Sequence, residues 1–504
     1  VEIDAHNGSG VVTLRYSSSG YRTKPGDTPA STLYAAVLID PGSFERSLFG
    51  GKKTLGNGQI NFGSIDLANA DGALDDLLGY GFDGRTVRIL RVASLSDAYS
   101  TATVVLRATV QRLDSDAAMS RLRVRLYDRR LELDEPLQTN RYTGETTSGG
   151  IVGHLADGTA NMKDQPKPLL YGKVFNVQPV TVNPFDLIYQ VNDGTVVSIV
   201  VMDGRVPLTL TADFATVALL QAATIAPGKY GTCLAAGLFR LGCPAWYTLT
   251  ANVVQAALTA SAIVEAILTR MGLTGGGNID AASFSAFATL SPQELGIVID
   301  GAQRASEAIG QVLASVGGYL VTAASGPFQV GRGPTLGTPT WTLDENDIEG
   351  DFGILSNPDT RQGLPAWRVI LRHSRNWTVQ TGEMVCPGAT ADLKSFAESM
   401  WREIKDDDAS VVTKYPLAEE LLIETFLTSD ADATTEAARR AGLYGVRRDL
   451  IVVAVALDGA DAMTPGSTGT VTLDRFGWDA GKDFTVIARE DRLAAGQAIL
   501  TLWG

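Results

Sequence analysis

Apolar and polar positions alternate with a period of two through most of residues 1–140. Val11-Val-Thr-Leu-Arg-Tyr, Leu33-Tyr-Ala-Ala-Val-Leu-Ile, Ile60-Asn-Phe-Gly-Ser-Ile-Asp-Leu, Val87-Arg-Ile-Leu-Arg-Val, Thr103-Val-Val-Leu and Leu122-Arg-Val-Arg-Leu-Tyr each predict a strand. Asn-Gly, Asp-Gly and Pro-Gly pairs between them are turn signals. A short helix, Leu74-Asp-Asp-Leu-Leu, follows Asp71-Gly72. After a Gly/Ser/Thr stretch from Tyr142 to Gly150, Pro168 to Val180, Leu187 to Val191 and Val196 to Val201 read as strands again.

From Ala212 the period lengthens. Phe214 to Ala226, Tyr230 to Leu241 and Val253 to Met271 are Ala/Leu-rich without internal Pro, and Gly228, Gly242 and Gly272 sit at their breaks, so three helices are expected. Segment 302–316 places Ala305, Ile309, Val312, Leu313 and Val316 on one helical face, and a hairpin follows from Tyr319 to Gly331. Trp341-Thr-Leu-Asp, Trp367 to His373 and Trp377 to Gln380 resume the strand pattern, with helices expected at 389–405 and 430–444. The runs Thr468-Gly-Thr-Val-Thr-Leu, Phe484-Thr-Val-Ile-Ala and Ile499-Leu-Thr-Leu-Trp predict a small antiparallel meander that ties the C-terminus into a sheet.

The expected fold class is therefore mainly β with α insertions (α+β), in several domains. The boundaries read from these shifts are a β-rich unit at 1–141, a β-rich segment at 142–211, a helical insertion at 212–272, a helix-plus-hairpin unit at 273–345, and a β-rich unit with two helices at 346–504. At 504 residues the chain exceeds what one hydrophobic core organises.

Composition narrows the function. The net charge is −14, which disfavours sequence-specific nucleic-acid binding. Arg121, Arg123, Arg125, Arg129 and Arg130 form the one basic cluster, and because they alternate with Leu122, Val124 and Leu126 they read as the solvent face of one strand. No apolar run reaches bilayer-crossing length and the first residues show no signal-peptide pattern, so the expectation is a soluble protein without stable membrane insertion. Three Cys, at positions 233, 243 and 386, form no ligand spacing and read as reduced thiols of a cytoplasm, Cys233 and Cys243 on or beside a helix.

Candidate chemistry is sparse. Asp66 to Asp76 resembles a calcium loop until Leu67 and Leu78 fall on the ligand positions one and twelve, which leaves a turn capping a short helix. Asp406-Asp-Asp408 reads as a solvated loop after the helix holding Trp401 and Glu403. His373 and Ser374 are adjacent, and neighbours in a strand point to opposite faces, so no hydrolytic pair is expected. Gly331-Arg-Gly333 is too short for a phosphate loop, and Trp246, Trp341, Trp367, Trp377 and Trp401 read as packing residues. The expectation is no catalytic, cofactor or metal residue, and no enzyme.

Four stretches carry a family resemblance. They are Phe62-Gly-Ser-Ile-Asp-Leu-Ala-Asn-Ala-Asp-Gly-Ala-Leu-Asp-Asp-Leu with Phe82-Asp-Gly-Arg85, Pro168 to Val180 with Tyr189-Gln-Val, Pro365-Ala-Trp-Arg-Val with Arg375-Asn-Trp-Thr-Val, and Arg475-Phe-Gly through Leu500-Thr-Leu-Trp-Gly504. In these the chain resembles the tail-tip or baseplate hub proteins of tailed bacteriophages, siphophages among them, and of gene-transfer particles. The resemblance implies small antiparallel sheets or barrels and a homotrimeric virion protein, assembled in the bacterial host cytoplasm. It also implies partners: the distal tail protein, tail tube, tape measure and central fibre or spike. Such a hub surrounds the channel through which DNA is ejected. The rival expectation is a tail-associated protein that binds glycans or degrades polysaccharide or peptidoglycan. A secreted adhesin is disfavoured by the missing signal pattern.

Overall fold

A computed structural model describes residues 1–54, 62–148, 156–323, 325–356, 359 and 363–504. The fold is multidomain and β-rich, built from several small sheets with helices between them. Residues 60 and 61 of one expected strand, and 149 and 150 of the expected linker, lie outside the described residues.

Nine strands drawn from the described residues between 2 and 127 form one sheet, with Glu2–His6 between Val11–Ser17 and Thr86–Arg91. Thr103–Ser115 pairs with both Thr86–Arg91 and Arg121–Tyr127 in antiparallel register. Its buried face carries Ile3, Ile65, Leu67, Val87, Val110, Leu122, Val124 and Leu126, which are the alternate residues of their strands.

Two five-stranded sheets follow. Leu169–Val177 lies between Leu249–Val254 and Gly296–Ile299 in one, and Leu238–Leu241 lies between Ile188–Gln190 and Lys229–Cys233 in the other. Leu170, Val174, Val201, Tyr230, Phe239 and Val253 share one core between them.

Here the helical expectation for 212–272 is corrected. Val217–Ala222 and Ala260–Arg270 are helices, but Tyr230 to Leu241 is a hairpin, and Val253 and Val254 end a strand. Gly237 explains the hairpin: its φ of 64° turns the chain. A Cβ there would also stand 2.3 Å from the Asn192 carbonyl oxygen. Cys233 thus closes a strand and not a helix.

Helices Ala260–Arg270, Ala281–Leu290 and Ala305–Val316 pack with the hairpin Gly318–Thr322/Phe328–Arg332 around the largest core, which includes Ile263, Phe287, Leu313 and Phe328. The helix expected at 389–405 stops at Glu398, and Arg402–Asp407 is a strand of the small sheet holding Arg368–His373 and Glu420–Glu424. Trp377 to Gln380 forms no strand.

The closing meander is present. Gln497–Trp503 lies between Trp478–Arg492 and Leu450–Ala456. The 15-residue strand Trp478–Arg492 is longer than its neighbours. Its first half pairs with Thr468–Leu473, and its second half with Ser43–Ser47 from the far end of the sequence. Trp503 is fully buried against Leu48, Phe49, Val321, Leu450 and Ile487.

Candidate functional site

Most polar groups singled out in the sequence have a structural partner. Arg121, Arg123 and Arg125 do line the outer face of one strand, but acids answer two of them: Arg123 donates twice to Asp66 at 2.7 Å, and Arg125 to Asp114 at 2.5 Å. The Arg123 hydrogen bonds hold the Asp66 carboxyl below its ordinary range, against the opposing effect of burial. Arg129 and Arg130 depart from the expectation. The strand has ended, and both lie buried on the 3-10 turn Arg129–Leu133. Arg129 donates to the Gly277 and Gly326 carbonyls at 3.1 and 2.9 Å and stands 5.1 Å over the Phe328 ring. It fastens the first sheet to the helical middle.

The acidic stretches are a turn and a strand end. Asn69 accepts from the Leu74 amide at 2.8 Å and donates to Asp75 at 2.7 Å, with Gly72 at φ 72° turning the chain into the 3-10 helix Asp75–Gly79. Asp406 and Asp407 belong to a strand and not to a loop; Asp407 accepts from Arg368 at 2.7 and 2.9 Å, and Asp408 caps the helix Ala409–Lys414. Among the described residues no three His, Cys, Asp or Glu converge as a metal site.

His373 and Ser374 do meet, contrary to the strand-face argument. The strand ends at His373 and Ser374 turns at φ 48°, so His373 Nδ1 lies 3.0 Å from Ser374 Oγ. The nearest carboxylate, Asp430, is 3.9 Å from that same Nδ1. A relay needs the nucleophile and the carboxylate on opposite ring nitrogens. Ser374 Oγ also donates to the Thr428 carbonyl, both side chains are buried, and burial lowers the His373 pKa. The arrangement is a packed corner.

Sequence reading missed a buried ionic cluster. Glu436 accepts from Arg440 Nε at 2.6 Å, from Arg439 at 2.6 and 2.8 Å, and from Arg332 at 2.5 Å. Burial pushes its carboxyl upward, but the three guanidinium groups outweigh this and hold it down at about 2. The carbonyls of Ala314 and Val316, at the C-terminal end of a helix, accept from the same arginines. The i, i+3, i+4 spacing of Glu436, Arg439 and Arg440 was legible. Arg332, about a hundred residues earlier, was not.

Some exposed aromatic side chains stand on backbone that is held in place. Trp246 is 87% exposed, yet its amide and that of Tyr247 donate to Asp203 at 2.8 and 2.7 Å. The Cys386 amide, donating to the Gly204 carbonyl at 2.9 Å, braces the same turn. At another place Phe476, 54% exposed, stacks on Phe352 at 6.1 Å and leans on Trp478 at 5.5 Å. Ile354 and Leu355 are exposed on the strand that carries Phe352. Monomers rarely leave such aromatics bare on ordered backbone, so these are candidate docking surfaces.

No family model and no curated protein matches the chain. Solved structures do. The tail protein from Neisseria meningitidis MC58 aligns over 93% of this chain and 95% of its own, at 9% identity and a TM-score of 0.43. The prophage MuSo2 43 kDa tail protein from Shewanella oneidensis aligns over 94% and 96%, at 9% identity and 0.38. A chain of the native gene transfer agent virion covers 74% of this chain and 91% of its own, at 13% identity and 0.41. Along most of its length, the chain thus aligns with two tail proteins and with a chain of a gene transfer agent virion.

Proposed function

We propose that the protein is a structural component of a phage-type tail, a tail-tip or baseplate hub. In this reading it forms a homotrimer that joins the tail tube and distal-tail ring to the central spike or fibre and lines the DNA exit channel. The observation that carries it is the pairing of exposed aromatics with fixed backbone at Trp246 and around Phe476. Side chains whose backbone is already ordered lose little entropy when a neighbour covers them, which favours assembly. The four sequence stretches that resemble hub proteins support the same reading, as does the acidic balance, which suits a conduit that must not hold DNA.

The test is assembly. Light scattering on the purified protein, and co-purification with its neighbouring tail proteins, should give an oligomer that Trp246→Ala and Phe476→Ala weaken without lowering the melting temperature. A monomer indifferent to both substitutions, or one that turns over polysaccharide, would overturn the proposal.

A further inference from the structure

Among the described residues, Arg375 holds its guanidinium against aromatic rings with its hydrogen-bond donors unused. Its backbone is fixed on both sides: the Ser374 amide donates to the Leu427 carbonyl at 2.7 Å, and the Asn376 amide to the Met400 carbonyl at 2.9 Å. Asn376 is itself buried and donates to the carbonyls of Phe396 and Ala397 at 3.0 and 2.9 Å. The guanidinium lies 4.0 Å from the centre of the Trp377 ring and 5.3 Å from that of Trp401, and Phe426 stacks on Trp377 at 5.8 Å. Yet it makes no hydrogen bond or ion pair with any described residue, and its Nε is buried without an acceptor. The field of Glu424 favours the charge, but a half-buried guanidinium with its donors unused is costly unless something outside the chain accepts from it.

A cleft of 580 Å³ opens beside it, lined by Arg375, Trp377, Asp300, Gln303, Glu307 and Gln311 among others. The planar fork of Arg375 suits a carboxylate held by two bonds. The other polar lining is of a different kind: two carboxylates and two amides, Gln303 donating to Gln311 at 2.9 Å, with carboxylate oxygens and the Gln311 amide nitrogen left to meet hydroxyls. One guanidinium against two carboxylates leaves the lining negative, which repels polyphosphate and nucleic acid. A ligand with a single carboxylate and several hydroxyls satisfies both halves. We infer that this cleft binds a sugar acid, a saccharide unit bearing one carboxylate, with Arg375 pairing its carboxylate and Gln303, Glu307, Gln311 and Asp300 its hydroxyls. The inference stands independently of the tail assignment.

Isothermal titration and tryptophan fluorescence on the full chain test it, with D-glucuronate, D-glucose, acetate and a short Asp-rich peptide as probes. Saturable binding of glucuronate is expected, at least about tenfold tighter than glucose or acetate and lost in Arg375→Gln. Equal binding of glucose removes Arg375 from recognition. Equal binding of acetate reduces the cleft to an anion hole, and preference for the peptide makes it a protein-docking site. Any of these, or no binding of glucuronate, overturns the inference. The ranking of probes on the unmodified protein decides the matter even if Arg375→Gln folds poorly.

Discussion

Glu436 shows how strongly one side chain can be committed to the fold. It is buried among three arginines, so removing its charge leaves cations stranded in a low-dielectric interior. Glu436→Gln should cost about 3–5 kcal/mol in a denaturant titration, far more than loss of an exposed ion pair. The pH dependence has a definite sign. The folded carboxyl, at about 2, lies below its ordinary 4.5, so the stability it provides is present above 4.5 and is lost as pH falls toward 2. The drop amounts to about 3 kcal/mol, and the variant should not show it. At this scale the sequence spoke unevenly. Asn69, Gly72 and Asp75 announced a cap because their partners lie within a few residues. His373 and Ser374 misled because a single left-handed residue, Ser374 at φ 48°, undoes the alternation that a strand imposes.

Among the elements, the hairpin over 230–241 is the instructive failure. Its Leu and Ala suggest a helix, but its two strands are members of the second five-stranded sheet and bury Tyr230, Phe239 and Leu241 in the core shared with the first. Gly237 is the hinge of that outcome. Gly237→Ala should cost at least about 2 kcal/mol, because strain at positive φ adds to a backbone clash. Gly228 shares the positive φ, at 75°, but has open space around it, so Gly228→Ala should cost only about 1 kcal/mol. Equal melting-point losses in the two variants would show that the Asn192 carbonyl does not enforce the turn. The strands of residues 1–127 and the final meander were legible because their alternation is clean and one face is buried. Ala305–Val316 was legible for the same reason at helical period. The end of the helix Ala391–Glu398 was not, because the strand after it, Arg402–Asp407, is charged on both faces and carries no apolar period.

Taken whole, the molecule is sewn together by contacts between distant parts of the chain. Arg46 pairs with Asp491 at 2.7 Å, Arg91 with Asp458 at 3.0 Å, and Thr54 with Tyr444 at 3.1 Å, beside Asp359. Arg91 ties the first sheet to the turn after Leu450–Ala456, Arg46 pairs within the last sheet, and Thr54 meets the end of a helix; no periodicity could reveal them. Removal of Ile499 to Gly504 takes most of a strand from between two others and uncovers the Leu48, Phe49 and Ile487 cluster. The truncated protein should therefore begin to unfold at a lower temperature than the full chain, and limited proteolysis should cut early near residue 48. A truncation that melts like the full chain would mean that the two sheets are energetically independent. The candidate surfaces were less legible than the fold: exposure of Trp246, or the unanswered guanidinium of Arg375, depends on which elements fail to cover them.

The strand Ser43–Ser47 has a consequence for biosynthesis. Its partner, residues 488–492, leaves the ribosome more than four hundred residues later, and Arg46 and Asp491 stand 445 positions apart. For most of translation the strand has no ladder to join, and the nascent chain carries an unmatched β-edge. Closure of the last sheet is then a late, slow step governed by loop entropy. A synthetic peptide of residues 41–49 supplied during refolding should compete for that seat and slow recovery of the native protein.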